Sequence, residues 1–103
     1  MDVSVLVPLF NEAESLPSLH AWIVRVMKEH ALSYEIVFVN DGSNDDSWQV
    51  IQSLREQDEH VKGICFRRNY GKSAALHCGF QMVQGDVVIT MDADLQDSPD
   101  EIP

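Results

Sequence analysis

The most constraining feature of this sequence is a run that fails to alternate. Ile36-Val37-Phe38-Val39 sets four apolar residues side by side, so a strand made of them has no polar face to give to water. Such strands lie in sheets covered on both sides, as parallel sheets are. Three similar runs accompany it, at residues 3–9, 61–66 and 86–91. Between them the apolar residues take helical spacing. Leu16, Leu19, Ile23, Val26 and Met27 form one stripe, Trp48, Ile51 and Leu54 a second, and residues 73–83 a short third helix that Gly85 should end. Ser15 and either Asp45 or Asp46 stand where N-caps belong, and Pro17 is tolerable in a first turn. Helix-length crossovers force parallel pairing with right-handed connections. The expected fold is α/β, an open and mostly parallel sheet with helices on both faces, in strand order 3-2-1-4.

A chain of 103 residues has room for one domain. Seven Lys and Arg against seventeen Asp and Glu give a formal charge of −10, which argues against a nucleic-acid partner. A small phosphorylated ligand remains open, because a bound divalent cation reverses the local sign. Cys65 and Cys78 have no C-x-x-C spacing and read as two buried thiols in a reducing compartment. The start Met1-Asp2-Val3 lacks a basic leader, and no run of 18 apolar residues occurs, so the chain is cytoplasmic in character. Residues 94–103 have the pattern of a helix just opening, so the sequence reads as the N-terminal piece of something longer. A sheet cut there would expose an edge strand, and self-association into a homo-oligomer is expected of the isolated piece.

In an open α/β sheet, ligands bind beyond the carboxyl ends of the strands. All four of those ends are polar here. The first strand runs into Asn11-Glu12, the second into Asn40-Asp41-Gly42-Ser43-Asn44-Asp45. The third leads to Arg67-Arg68-Asn69-Tyr70-Gly71-Lys72 and the fourth to Asp92-Ala93-Asp94-Leu95-Gln96-Asp97. Asp92 and Asp94 are two apart, and in an extended chain they point the same way. Carboxylates that close repel unless a hard cation such as Mg²⁺ or Mn²⁺ joins them. D-x-D alone also fits solvent-facing acids at a turn; the strand upstream is what fixes it at a sheet edge. Asp97 fits a helix cap or an outer contact to the ion. Asp41 fits either a ribose or base contact or an Asx-turn with Gly42. Arg67, Arg68 and Lys72 concentrate three of seven basic residues in six positions, as counter-charge to an anion or to nearby carboxylates, or as a solvated turn. The glycine patterns of a Walker loop and of a dinucleotide fold are both absent. Of the histidines, His20, His30 and His60 read as surface residues, His77 fits either face of its helix, and Trp22 and Trp48 read as packing residues.

Four segments together, Val7-Pro8-Leu9-Phe10-Asn11-Glu12, Val39-Asn40-Asp41-Gly42-Ser43-Asn44-Asp45, Arg68-Asn69-Tyr70-Gly71-Lys72-Ser73-Ala74-Ala75 and Met91-Asp92-Ala93-Asp94-Leu95-Gln96-Asp97-Ser98-Pro99, give the chain its resemblance. It resembles the family 2, GT-A fold glycosyltransferases, and within them the polyprenyl-phosphate (dolichol- or undecaprenyl-phosphate) sugar transferases. The resemblance implies that residues 1–103 are the nucleotide-sugar-binding part of a GT-A domain. It implies donor contacts by Pro8, Leu9, Asn11, Glu12, Asp41, Lys72, Asp92, Ala93 and Asp94. Asp92 and Asp94 would be the catalytic pair, holding Mg²⁺ or Mn²⁺ with Gln96 close by. The implied reaction moves a sugar from a UDP- or GDP-linked donor to a polyprenyl phosphate at the cytoplasmic side of the cell membrane, with inversion. Alternatives are a nucleotidyltransferase of related fold, which should show a Gly-rich loop and a basic residue where this chain has Asn11-Glu12-Ala13-Glu14, and a nucleotide-binding domain without turnover.

Overall fold

A computed structural model describes residues 1–93. The elements are β1 (Val3–Leu9), α1 (Leu16–Glu29), β2 (Tyr34–Asn40), α2 (Ser47–Gln57), β3 (Val61–Cys65), α3 (Lys72–Phe80) and β4 (Val87–Thr90). The strands form one sheet in the order β3-β2-β1-β4, with every neighbouring pair parallel, as expected from the sequence. β1 and β2 pair along their whole length, from Val3 opposite Tyr34 to Leu9 opposite Asn40, and every residue of both is buried. The unbroken apolar run of β2 is thus covered on both faces.

Alternation along β1 divides the core. Val3, Val5, Val7 and Leu9 meet Leu16, Leu19, Ile23 and Met27 of α1 and Ile51 and Leu54 of α2. Leu6 turns the other way, with Val37 and Val39, against Ala75 of α3. All five stripe residues of α1 are buried, and truncating one, Ile23→Ala, costs about 2–5 kcal/mol.

Beneath the segment that joins α3 to β4, the amino ends of the strands carry a buried polar cluster. Glu35, 1% exposed, accepts from Lys62 Nζ at 2.6 Å, from Ser4 Oγ at 2.5 Å and from the Gln84 N–H at 2.6 Å. Gly85 N–H donates to Ser4 Oγ at 2.7 Å. Burial pushes the Glu35 carboxyl upward, but the donors from Lys62, Ser4 and Gln84 outweigh it and hold the group below its ordinary value. On the opposite face Asp58 accepts from His20 Nε2 at 2.8 Å and His60 Nδ1 at 2.7 Å, and the His60 ring stacks on Tyr34 at 4.3 Å.

Several local expectations are corrected. Ser15 and Asp46 occupy the N-cap positions of α1 and α2, but neither side chain caps; Ser15 Oγ donates to Glu12 Oε2 at 2.8 Å instead, and at α2 it is Asp45, the other residue expected there, whose Oδ1 accepts from the Ser47 N–H at 2.9 Å. α3 ends at Phe80, ahead of Gly85, because Gln81 and Met82 N–H bond three residues back to Cys78 and Gly79 and tighten the last turn. β3 and β4 stop one residue earlier than the apolar runs, at Cys65 and Thr90. The cysteines are not two buried thiols: Cys65 is exposed at the end of an edge strand and Cys78 is half-buried on α3. His20 is no surface residue, its side chain being 15% exposed against Asp58. Trp48 packs against the core as expected, and His77 is exposed.

Candidate functional site

At the carboxyl end of the sheet, the turns after β1 and β2 hold each other. Asn11 N–H donates to Ser43 Oγ at 2.9 Å, and Asn44 N–H donates to Asn11 Oδ1 at 2.7 Å. Glu12 N–H reaches Ser47 Oγ at 3.1 Å, and Ala13 N–H reaches Asp45 Oδ2 at 3.3 Å. Asn11 takes φ 55°, a left-handed conformation that Asn tolerates better than most residues. Asn11 and Glu12 border a hollow of about 460 Å³ with Ser18 and Asp45. That hollow shares no lining residue with the cleft described next.

Asp41 follows β2 directly and is 4% exposed. Its carboxylate accepts from Tyr70 N–H at 2.8 Å, Gly71 N–H at 3.0 Å and Asn69 Nδ2 at 3.1 Å. The alternative Asx-turn of Asp41 is not formed; the turn is braced instead by Asn40, whose Oδ1 accepts from Ser43 N–H, three residues on, at 3.1 Å. Asp41 instead straps the loop after β3 across the sheet. Gly42 makes room for that loop: its φ is +69°, and a Cβ there would stand 2.1 Å from the carbonyl carbon of Arg68. Gly71 takes φ 101° and ψ 161° at the start of α3, a conformation close to glycine's own. Within the loop, Arg68 lies over the Tyr70 ring at 4.9 Å and Phe66 meets that ring edge-on.

These restraints shape a cleft of about 360 Å³ lined by Pro8, Leu9, Phe10, Asp41, Asn69, Gly71 and Lys72. Four of the donor contacts expected from the sequence, Pro8, Leu9, Asp41 and Lys72, lie together in it. Pro8 sits in a central strand without harm. Leu6 O accepts from Met91 N–H, so even-numbered β1 residues turn their backbone toward β4. Its ladder with β1 ends at Leu6–Thr90, before Pro8 would need a partner. The gap left there is a recess of about 60 Å³ lined by Pro8, Lys72, Thr90, Met91 and Asp92. Across it Lys72 Nζ contacts Asp92 Oδ1 at 2.7 Å, with side chains 62% and 42% exposed. The expected role of Lys72 as counter-charge to a nearby carboxylate is thus seen.

Ala93 is buried with the core on the α1 side. It lies in a turn directly after Asp92. Asp94, Gln96 and Asp97 lie outside the described residues. Among the described residues no group of three or more His, Cys, Asp or Glu is placed to hold a metal. Phe10, Asn69, Gly71, Thr90 and Met91 were not expected as lining residues. Asn69 had a signal, an amide two residues before a glycine, whereas Thr90 and Met91 line the recess only because Pro8 ends the pairing.

The family model for glycosyl transferase family 2 matches residues 4–103. An undecaprenyl-phosphate 4-deoxy-4-formamido-L-arabinose transferase from Pseudomonas fluorescens (strain SBW25) is 46% identical over 98% of this chain and 30% of its own length. The chain thus spans less than a third of such relatives. Among solved structures, mannosyl-3-phosphoglycerate synthase from Rubrobacter xylanophilus superposes with a TM-score of 0.77 at 22% identity, over 94% of this chain and 32% of that one. A mannosyltransferase from Pyrobaculum calidifontis, in complex with GDP-Man and Mn2+, gives 0.71 at 25% identity over 89% and 27%.

Proposed function

The chain belongs to glycosyl transferase family 2, and from that premise we propose that residues 1–103 are the donor-binding part of an enzyme that transfers a sugar from a UDP- or GDP-linked donor to a polyprenyl phosphate. The observation that carries this reading is the meeting of Pro8, Leu9, Asp41 and Lys72 in one cleft, with Asp92 across a shared wall. The sequence relatives support the acceptor class, being transferases named for undecaprenyl phosphate. The Mn2+ and GDP-Man of the Pyrobaculum mannosyltransferase support the cation and the donor class.

The residues fit such a cation by donor chemistry. Asp92 offers hard carboxylate oxygen at the strand end, with Asp94 and the Gln96 amide following in sequence. An ion held there supplies Lewis-acid stabilisation of the departing diphosphate. The chain's own part is positional. Asp41 fixes the loop over the nucleotide's seat and can accept a hydrogen bond from ribose or base, and Pro8 and Leu9 form an apolar wall. Lys72 compensates anionic charge. A lipid phosphate is already an anionic nucleophile, so it needs alignment more than a strong base, and the transfer proposed from the family resemblance is a single displacement with inversion. Among the described residues no helix is long and apolar enough to cross a membrane; the proposed site of action is the cytoplasmic membrane face.

The test is transfer by full-length protein with membranes and radiolabelled UDP- or GDP-sugar. The expected product partitions into organic solvent and is released by mild acid. Label found only in water-soluble glycan would contradict the lipid-phosphate acceptor.

A further inference from the structure

Two walls of the cleft come from neighbouring strands, Pro8, Leu9 and Phe10 from the exit of β1 and Asp41 from the exit of β2. The ladder between those exits ends with Asp41 N–H donating to Leu9 O at 2.8 Å. Beyond Leu9, the spacing of the walls depends on what ties the two turns together, and Asn11 makes two of the ties. Its N–H donates to Ser43 Oγ at 2.9 Å, and its Oδ1 accepts from Asn44 N–H at 2.7 Å. Ser43 is itself fixed to β2, because its N–H donates to Asn40 Oδ1 at 3.1 Å. Asn11 makes both ties from a left-handed conformation, φ 55°, which most side chains resist and a short polar one tolerates. Asn11 itself borders the separate hollow with Glu12, not the cleft. We propose that Asn11 is a positioning residue: its left-handed turn and double tie to residues 43–44 hold Phe10 and Asp41 at a set separation, so that the cleft is preformed for a nucleotide that Asn11 does not touch. This rests on reading the cleft as a nucleotide-sugar site.

The physical argument is preorganisation, since a wall already in place spares the ligand the cost of ordering it. Phe10 is 41% exposed, so packing gives it little hold and its place follows from the backbone on either side. On one side is Leu9, buried in the core, and on the other are the ties of Asn11. The chemistry of those ties also says which part of Asn11 matters. They use its backbone N–H and its acceptor Oδ1, and neither uses the amide nitrogen Nδ2. An aspartate supplies the same acceptor and tolerates the same backbone. Position 11 is exposed, so the added charge stays solvated. With Oδ1 engaged by Asn44, a direct contact to an anionic donor would have to come from Nδ2, and a carboxylate in its place would repel that ligand.

Substitutions at one position therefore separate positioning from contact. Full-length variants are titrated calorimetrically with UDP and with GDP, Mn²⁺ being present throughout. Asn11→Asp should bind nucleotide like wild type. Asn11→Ala loses the tie to Asn44 and strains the left-handed turn, and it should weaken binding about tenfold, the scale of one lost hydrogen bond. Ser43→Ala removes the other tie and should weaken binding by a smaller factor. The double variant should lose less than the product of the two factors, because both ties brace one turn. Asn11→Asp that binds as poorly as Asn11→Ala overturns the positioning role in favour of direct contact. Asn11→Ala that binds nucleotide like wild type, whatever its melting temperature, also overturns it and leaves at most a brace for the fold. Wild-type protein that binds neither UDP nor GDP overturns the donor-site reading, and the positioning role with it.

Discussion

The two ends of this sheet are both rich in acids, yet they are built for different purposes. At the amino end, Glu35 is buried with three protein donors on its two oxygens. Asp58 is similarly engaged by two imidazoles and the His60 N–H. At the carboxyl end, Asp92 is 42% exposed beside a lysine that is itself 62% exposed. Asp41 lies between these extremes, buried and strapped to a loop, yet still lining the cleft. An acid satisfied by its own chain holds the fold together. An acid at a hollow, partly open to water beside a lysine, can face a ligand.

The comparison can be broken most forcefully at the sealed end. Glu35→Gln takes the counter-charge from Lys62, and it should destabilise the protein by about 3 kcal/mol in denaturant titration, the scale of a broken buried pair. Nucleotide affinity of the folded fraction should not change. The sign of the pH effect follows from the same group. Its folded value lies below the ordinary 4.5, so its contribution is complete above that value and is lost as pH falls through the folded one. Asp58, also depressed by its hydrogen bonds despite burial, adds to the same acid limb. Glu35→Gln should flatten stability against pH below 4.5; an unchanged slope in acid denaturation would remove Glu35 from that account.

Asp41→Ala should cost about 1–3 kcal/mol of nucleotide affinity, the range for stranded polar partners. Because Asp41 works through the 69–71 loop, calorimetry should find that loss with Mn²⁺ and without it. Smallest is His20→Ala, which removes one of the two imidazoles on Asp58. It should lower stability by about 1 kcal/mol and leave ligand binding alone.

The difference between the ends also explains what the sequence made legible. Periodicity and the unbroken run at 36–39 suffice for the sheet, its order and the α1 stripe, because each depends on which faces are buried. Polar residues at four strand ends pointed to the edge of the sheet where the cleft forms. Polarity alone does not separate the ends, however: Ser4, Glu35, Lys62 and Asp58 make the opposite edge polar as well. What separates them is saturation and burial, which depend on Gln84 and Gly85 coming back 49 and 81 residues away in sequence. The same long-range dependence hid the work of Asp41, whose partners at 69–71 come together with it only across the sheet. Cys65 misled because an apolar run on an edge strand has one side open to water.

The central claim is that the open end of the sheet binds a nucleotide sugar through a cation at Asp92. The most direct measurement is calorimetric titration of full-length wild type and Asp92→Asn with UDP- or GDP-sugar, each with Mn²⁺ and with chelator. The substitution should weaken binding about tenfold with Mn²⁺, the scale of a lost charged contact, and leave the chelated titration unchanged. Equal loss in both conditions would mean that Asp92 contacts sugar or supports the fold, and would contradict the claim.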